Sequence, residues 1–350
     1  MGLSKSDQST IEKARTAGGG DLGRGLDDEE CSALLAVAAA DLNLKTKELP
    51  AKSMSFFETW PPEALRLPGV DFDKAIENAA AMSPDIVWYF ACLAKLHTSR
   101  IKYASILKTQ PIPTMNQVGP RGLLQYGAME KKALTSFLLW RKWLFDIDNR
   151  ASQETGYLFE PILAASIGGS PVSAKKSPVK RHKDRSRGRQ VDCIKKTFAY
   201  EFKLRITIAA SGQGRWKEEL DFPKDCTSSG YQPVLLVFDP TENPKLTELT
   251  ARFLAEKGGA VFIGEKAWKH LEEQAGPTMG TFLKKYVHIP LAQLLAEAPT
   301  DALPELRMSM TSKSLSVTLE KSTFTIERTP GEADDEREVP DDVEDSITGP

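Results

Sequence analysis

The order and period of the apolar residues predict an α/β fold built on a mixed sheet. Two observations carry this prediction. From Thr197 to Ile208 the residues alternate, with Phe198, Tyr200, Phe202, Leu204, Ile206 and Ile208 on one face and Ala199, Glu201, Lys203, Arg205 and Thr207 on the other. That is the period-2 pattern of a strand with one fully apolar side. Pro233 to Phe238 is a continuous apolar run, as a strand buried on both faces requires. Helical patterns fall between and after these segments. The resulting order is helix, strand, strand, helix, strand, helix, strand, helix, which a layered α/β core accommodates.

Taken in order, residues 1–27 are small, polar and Gly-rich and read as a disordered lead. Residues 28–150 read as a helical N-terminal region. Asp27 and Asp28 cap a helix through about Leu44, and 50–68 reads as loop. A second helix is expected from Ser83 to about Lys108, with Ser83 as cap and Pro84 at the first helical position. Gln110 to Tyr126, broken by Pro and Gly, reads as loop. Two further helices are expected, from Ala128 to Asp148 and from Ser152 to about Ile167. A core follows over 151–308, interrupted by a basic linker at 170–190. Its short strand Val191–Ile194 precedes the alternating one. Mixed or helical sequence covers Arg215–Lys224, and an amphipathic helix over Leu246–Lys257 ends at Gly258-Gly259, a C-cap signature. Ala260–Ile263 reads as strand and Ala267 to about Gln274 as helix. Residues 309–326 suggest a hairpin, and 327–350 an acidic tail.

Composition narrows the function classes. The chain has 350 residues, 41% hydrophobic and 27% charged, which is ordinary for a globular protein and excludes wholesale disorder. Its longest apolar run, Ile86 to Ala94, is nine residues, about half of a membrane span. Four scattered cysteines form no CxxC pair, so a reducing, cytoplasmic setting is expected. The net charge of −2 conceals a segregation: Glu327 to Pro350 carries ten acidic and two basic residues, so the rest of the chain stands at +6. Ser170 to Gln190 alone holds Lys175, Lys176, Lys180, Arg181, Lys183, Arg185, Arg187 and Arg189 against Asp184. Such a strip is either a solvated linker or the footprint of a polyanion.

The informative constellation is Asp192 followed by Glu201-Phe202-Lys203. Glu201 and Lys203 project from the same face of their strand, and a tight turn at Lys195-Lys196 would bring Asp192 beside Glu201. Two converging carboxylates form a hard-oxygen site suited to Mg²⁺, with the Phe202 carbonyl as a further donor. A lysine beside such an ion can orient or deprotonate water and offset charge on phosphorus oxygens. The competing reading is a surface Glu–Lys pair, which sheets contain in abundance. The four histidines have no metal-ligand spacing with the cysteines. Cys193 reads as a packed thiol, and Trp140, Trp143 and Phe145 as core or interface.

The segment Gly156-Tyr157-Leu158-Phe159-Glu160-Pro161, then Asp192, then Glu201-Phe202-Lys203, then Val234 to Phe238 resembles the core of PD-(D/E)XK nucleases. Glu201 to Arg215 together with Val234 to Thr241 is most similar to the ApaLI-like group of type II restriction endonucleases. The resemblance covers about residues 110–270. Val191 stands where the motif has its most dispensable position, a proline. The resemblance implies a restriction-endonuclease-like core, a mixed sheet flanked by helices, with Asp192 and Glu201 as metal ligands. It makes Lys203 the catalytic lysine and Glu160 the helix glutamate, with Glu154 its competitor. It further implies Mg²⁺-dependent hydrolysis of both strands of double-stranded DNA to leave 5′-phosphates, a homodimer with the N-terminal helices at its interface, a companion methyltransferase, and a bacterial cytoplasmic setting.

Candidate DNA contacts follow from position and chemistry. Arg205 shares the active face, and Ser211, Gln213 and Arg215 lie in a polar loop beyond the strand. Gln117 and Arg121 occupy a comparable loop, and glutamine and arginine read adenine and guanine respectively. Lys180, Arg181, Arg185, Arg187 and Arg189 of the basic strip would border the cleft and steepen the salt dependence of binding. Two alternatives stand beside this reading: another nuclease on the same core, of repair or junction type, and a non-catalytic DNA-binding protein.

Overall fold

In a computed structural model, which describes residues 2–16, 24–57, 64–125, 127, 129–204, 213–297, 305–319 and 321–329, the N-terminal half is helical. Its elements are α1 (Lys5–Arg15), α2 (Asp28–Asp41), α3 (Phe72–Met82), α4 (Ile86–Thr109), α5 (Met115–Gly122) and α6 (Lys131–Ser166). The disordered lead expected over 1–27 is corrected for its first half. Ser4 and Asp7 close a capping box on α1, whose Thr10, Ile11 and Ala14 are buried, and the helix packs on α4. Satisfying the free N–H groups and burying an apolar stripe is enough to order a polar segment.

Three other expectations change. Ser83 is the C-cap of α3, whose Phe72, Ala75, Ile76 and Ala79 face inward, and α4 starts after Asp85. The Gln110–Tyr126 loop contains α5, closed by a capping box between Thr114 and Gln117. The two helices expected around residue 150 are one helix of 36 residues with Pro161 inside it.

The sheet that α6 feeds has five strands in the order β1 (Ser170–Val172), β4 (Val191–Lys195), β5 (Phe198–Lys203), β6 (Gln232–Val237) and β7 (Ala260–Ile263). A separate two-stranded hairpin, β2 (Lys180–Arg181) and β3 (Asp184–Gly188), lies between β1 and β4 in sequence. β4 runs antiparallel to both β1 and β5, while β5, β6 and β7 are parallel to one another, so the sheet is mixed as predicted. The expected strand to Ile208 ends at Lys203, and 205–212 lie outside the described residues. α7 (Gln213–Ser228) and α8 (Pro244–Leu254) link the parallel strands.

Helices cover both faces. Cys193, Tyr200, Phe202, Val234 and Leu236 pack with α2, α4 and the end of α6, and each such aromatic contributes about 1.5–3 kcal/mol by leaving water. Ala199, Leu235 and Val237 pack with Phe222, Cys226, Leu249 and Phe253 of α7 and α8. β1 closes on β4 where Gly169 meets Cys193, and a Cβ at 169 would collide with the thiol.

The chain continues through α9 (Glu265–Gln274), α10 (Pro277–Leu283), a π-helical turn at Lys284–His288 and α11 (Ile289–Glu297). Asp41 ties this end to the helical half: its buried carboxylate accepts from Tyr89 at 2.8 Å, from Tyr286 at 2.7 Å and from Lys285. The expected hairpin at 309–326 is a three-stranded antiparallel sheet of β8 (Arg307–Met310), β9 (Ser314–Leu319) and β10 (Ser322–Glu327). Its apolar face packs on Ile106, Trp143 and Ile147. The acidic tail beyond Thr329 lies outside the described residues. Among the described residues no helix is long and apolar enough to cross a membrane.

Candidate active site

β4 and β5 form a hairpin joined at Lys196-Thr197, with Lys196 in the left-handed region at φ 55°. Cys193 pairs with Tyr200, and continuing that register sets Asp192 opposite Glu201. Asp192 leaves the ladder: its Oδ2 accepts from the Phe202 N–H at 2.8 Å, standing in for the backbone acceptor the next rung would supply. Lys203 Nζ lies 2.8 Å from Glu201 Oε1, with the two side chains 21% and 13% exposed. Both side chains are thus more withdrawn from solvent than those of an ordinary surface pair.

Charge is unevenly compensated here. Removal from water, then the nearby carboxylates of Glu201 and Glu160, hold the Asp192 carboxyl well above the usual carboxylate range, against the pull of Lys203 and the Phe202 N–H. Burial disfavours the Lys203 ammonium, but Glu201, Glu219 and Asp192 outweigh it and keep the group protonated. As held here, Lys203 meets its carboxylate partners as a donor and a positive charge.

Glu160 on α6 is therefore close enough for its charge to be felt at Asp192. The side chain of its competitor Glu154 lies outside the described residues. One further acid was not evident in the sequence pattern. Glu219, on α7, reaches Lys203 Nζ at 3.6 Å, 16 residues along the chain and in contact only because α7 folds back over the sheet.

The candidate DNA contacts divide. Arg205 and Ser211 lie outside the described residues, as do the side chains of Gln213 and Arg215 at the start of α7. Gln117 is engaged in capping α5, its Oε1 accepting from the Thr114 N–H at 2.8 Å, while Arg121 is exposed. The basic linker is a correction: it is folded and paired. Arg181 bonds Glu218 at 2.7 Å, Lys183 bonds Asp221, and His182 Nδ1 sits 2.6 Å from Asp225. Arg189 is buried, stacked over Phe222 and donating to the Glu218 carbonyl at 2.6 Å. Arg185 donates to the Ser228 carbonyl. Arg187 is exposed and Lys180 half-buried.

The geometry thus joins an α/β/α core to an enclosed Asp–Glu–Lys cluster at the edge of an antiparallel hairpin. The family model for ApaLI-like restriction endonucleases matches residues 39–288, most of the chain. The chain belongs to the ApaLI-like restriction endonuclease family. It is also similar to the "Type II restriction enzyme ApaLI" of Acetobacter pasteurianus, 52% identical over 230 residues, which are 64% of this chain and 61% of that protein. The chain therefore spans about three fifths of the length of the curated relative it matches. No solved structure matches it.

The ApaLI-like match encloses α3 to α10 and the whole five-stranded sheet, and leaves α1 and β8–β10 outside. Among the described residues no three His, Cys, Asp or Glu side chains stand together as a complete metal cage. The donor chemistry fits a hard divalent cation all the same. Asp192 and Glu201 offer neighbouring carboxylates, and burial followed by the charges of Glu201 and Glu160 raises the Asp192 carboxyl, a cost that a cation held between them would relieve.

Proposed function

We propose that this chain is a sequence-specific type II restriction endonuclease, hydrolysing phosphodiester bonds in both strands of double-stranded DNA with Mg²⁺ as cofactor. The observation that carries the reading is the enclosed Asp192–Glu201–Lys203 cluster on β4–β5 within a chain of the ApaLI-like family. Asp192 and Glu201 would hold Mg²⁺, with Glu160 from α6 completing the acidic wall. When bound, the ion supplies Lewis-acid stabilisation and lowers the pKa of water. Lys203 offsets charge gathering on the non-bridging phosphorus oxygens, the task its protonated state suits. Water adds to phosphorus, the bond to the 3′ oxygen breaks, and a 5′-phosphate and a 3′-hydroxyl remain. Arg121 and Arg187, exposed and cationic, are available to phosphates or base edges, and Arg205, Ser211, Gln213 and Arg215, which come after β5 in the sequence, are further candidate contacts in this reading. A homodimer matched to a two-fold DNA site and a companion methyltransferase protecting host DNA complete the proposal.

The test is plasmid DNA incubated with the purified chain in Mg²⁺, in EDTA, and with Lys203→Ala. Discrete fragments with Mg²⁺ alone, and a rate lowered about 10²–10³-fold or more by Lys203→Ala, are expected. Intact DNA under every condition, with binding retained in the variant, would leave a DNA-binding protein and end the endonuclease reading.

A further inference from the structure

We propose that Glu219 is a positioning residue for Lys203, holding its ammonium in place once Glu201 is drawn onto a cation. The proposal rests on the endonuclease reading above and extends it to a residue on a different element. Lys203 has two carboxylate partners in unequal positions, Glu201 at 2.8 Å and Glu219 at 3.6 Å. A carboxylate that ligates a divalent ion gives its oxygens to that ion, and its bond to a neighbouring ammonium weakens. Glu219, beyond the strand, is not asked to do both.

Its place on α7 supports the assignment. Glu218, Asp221 and Asp225 recur at i, i+3 and i+7 and hold the β2–β3 hairpin through Arg181, Lys183, His182 and Arg189. Glu219 belongs to a different stripe, with Phe222 and Cys226 at the same spacing. Those two are 1% and 0% exposed against the sheet. One turn earlier on that inward stripe an apolar residue would bury favourably. A carboxylate stands there instead, 23% exposed, and its partner among the described residues is Lys203. Among the described residues, it is Lys203 that gives an acid at that point an ionic partner.

The chain of 350 residues is probed by site-resolved acetylation of its lysines with acetic anhydride, with and without Mg²⁺, in the native protein and in the near-isosteric Glu219→Gln. With Mg²⁺ present, Lys203 is expected to label faster in Glu219→Gln than in the native chain, at an unchanged thermal midpoint. In plasmid cleavage the same variant should lose about 10–100-fold in the single-turnover rate, with DNA affinity and the Mg²⁺ half-saturation point unmoved. Glu219→Asp should recover part of that rate. Equal labelling of Lys203 in both proteins would overturn the assignment. So would a tenfold displacement of the Mg²⁺ half-saturation point, which would make Glu219 a ligand. Faster labelling in a protein that cuts no DNA would uphold the positioning role while removing the endonuclease reading.

Discussion

Single residues in this molecule act through what encloses them. Glu201 and Lys203 are two residues apart on a strand, and their common face follows from alternation alone. The carboxylates that raise the Lys203 ammonium are first Glu201 and then Glu219, and no local pattern connects the second to it. Glu30 shows the same logic away from the site. Burial raises its carboxyl, but two bonds from Arg24 at 2.6 and 2.8 Å and one from the Asp27 N–H at 3.0 Å outweigh it and leave the pKa below the ordinary 4.5. A group depressed on folding contributes stability that is present above its unfolded pKa and lost as pH falls through the folded one. Glu30→Gln should therefore melt at a lower temperature than the native chain at pH 7, with the gap narrowing below about pH 4. A gap that stays constant from pH 7 to pH 3 would show that the ionised carboxylate contributes nothing.

At the scale of elements, α7 sorts its acids by face, and the sorting decides what the basic segment can do. A run of eight cations over Ser170–Gln190 reads as a loose polyanion site so long as α7 is unseen. Once α7 is in place, Arg181, Lys183 and Arg189 have carboxylate partners, and Arg187 is left exposed on β3. Arg187→Ala should lower the salt slope of DNA binding by about one with little change in stability. Arg189→Ala should cost about 3 kcal/mol in urea unfolding, since it strips a partner from a buried carboxylate. Reversal of the two results would restore the open-linker reading. The helices follow a similar rule. Those with a broad apolar run, such as α4, are legible from composition. α1, α3 and α5 announce themselves through caps instead, at Ser4, Asp71 and Thr114. Gly119, Pro120 and Gly122 obscure α5, yet Pro120 lies in the last turns of a helix held by packing on α6.

The described residues place one candidate site at one strand hairpin, so under the proposed function one chain presents one set of catalytic groups. Under that proposal, cutting both strands at a two-fold site calls for two copies. Sedimentation of the free protein should give about twice 38.6 kDa. A mass of one chain, both free and on plasmid DNA, would sink the dimer. The outer surface of α6 offers Phe137, Leu144 and Phe145 to solvent, while its Trp143 is covered by the β8–β10 sheet. The expectation of core or interface for these aromatics is thus met for Trp143 by burial within the chain.

The sequence by itself determined the mixed sheet, the order of its strands and helices from Val191 to Gln274, and the shared face of Glu201 and Lys203. These are consequences of period, which is local. Only the tertiary structure decided that Glu219 completes the lysine's surroundings, that Glu160 is near enough to raise Asp192, and that the basic segment is pinned to α7. Each of those depends on residues brought near one another by crossovers and layer packing, and the spacing of residues along the chain leaves no trace of it.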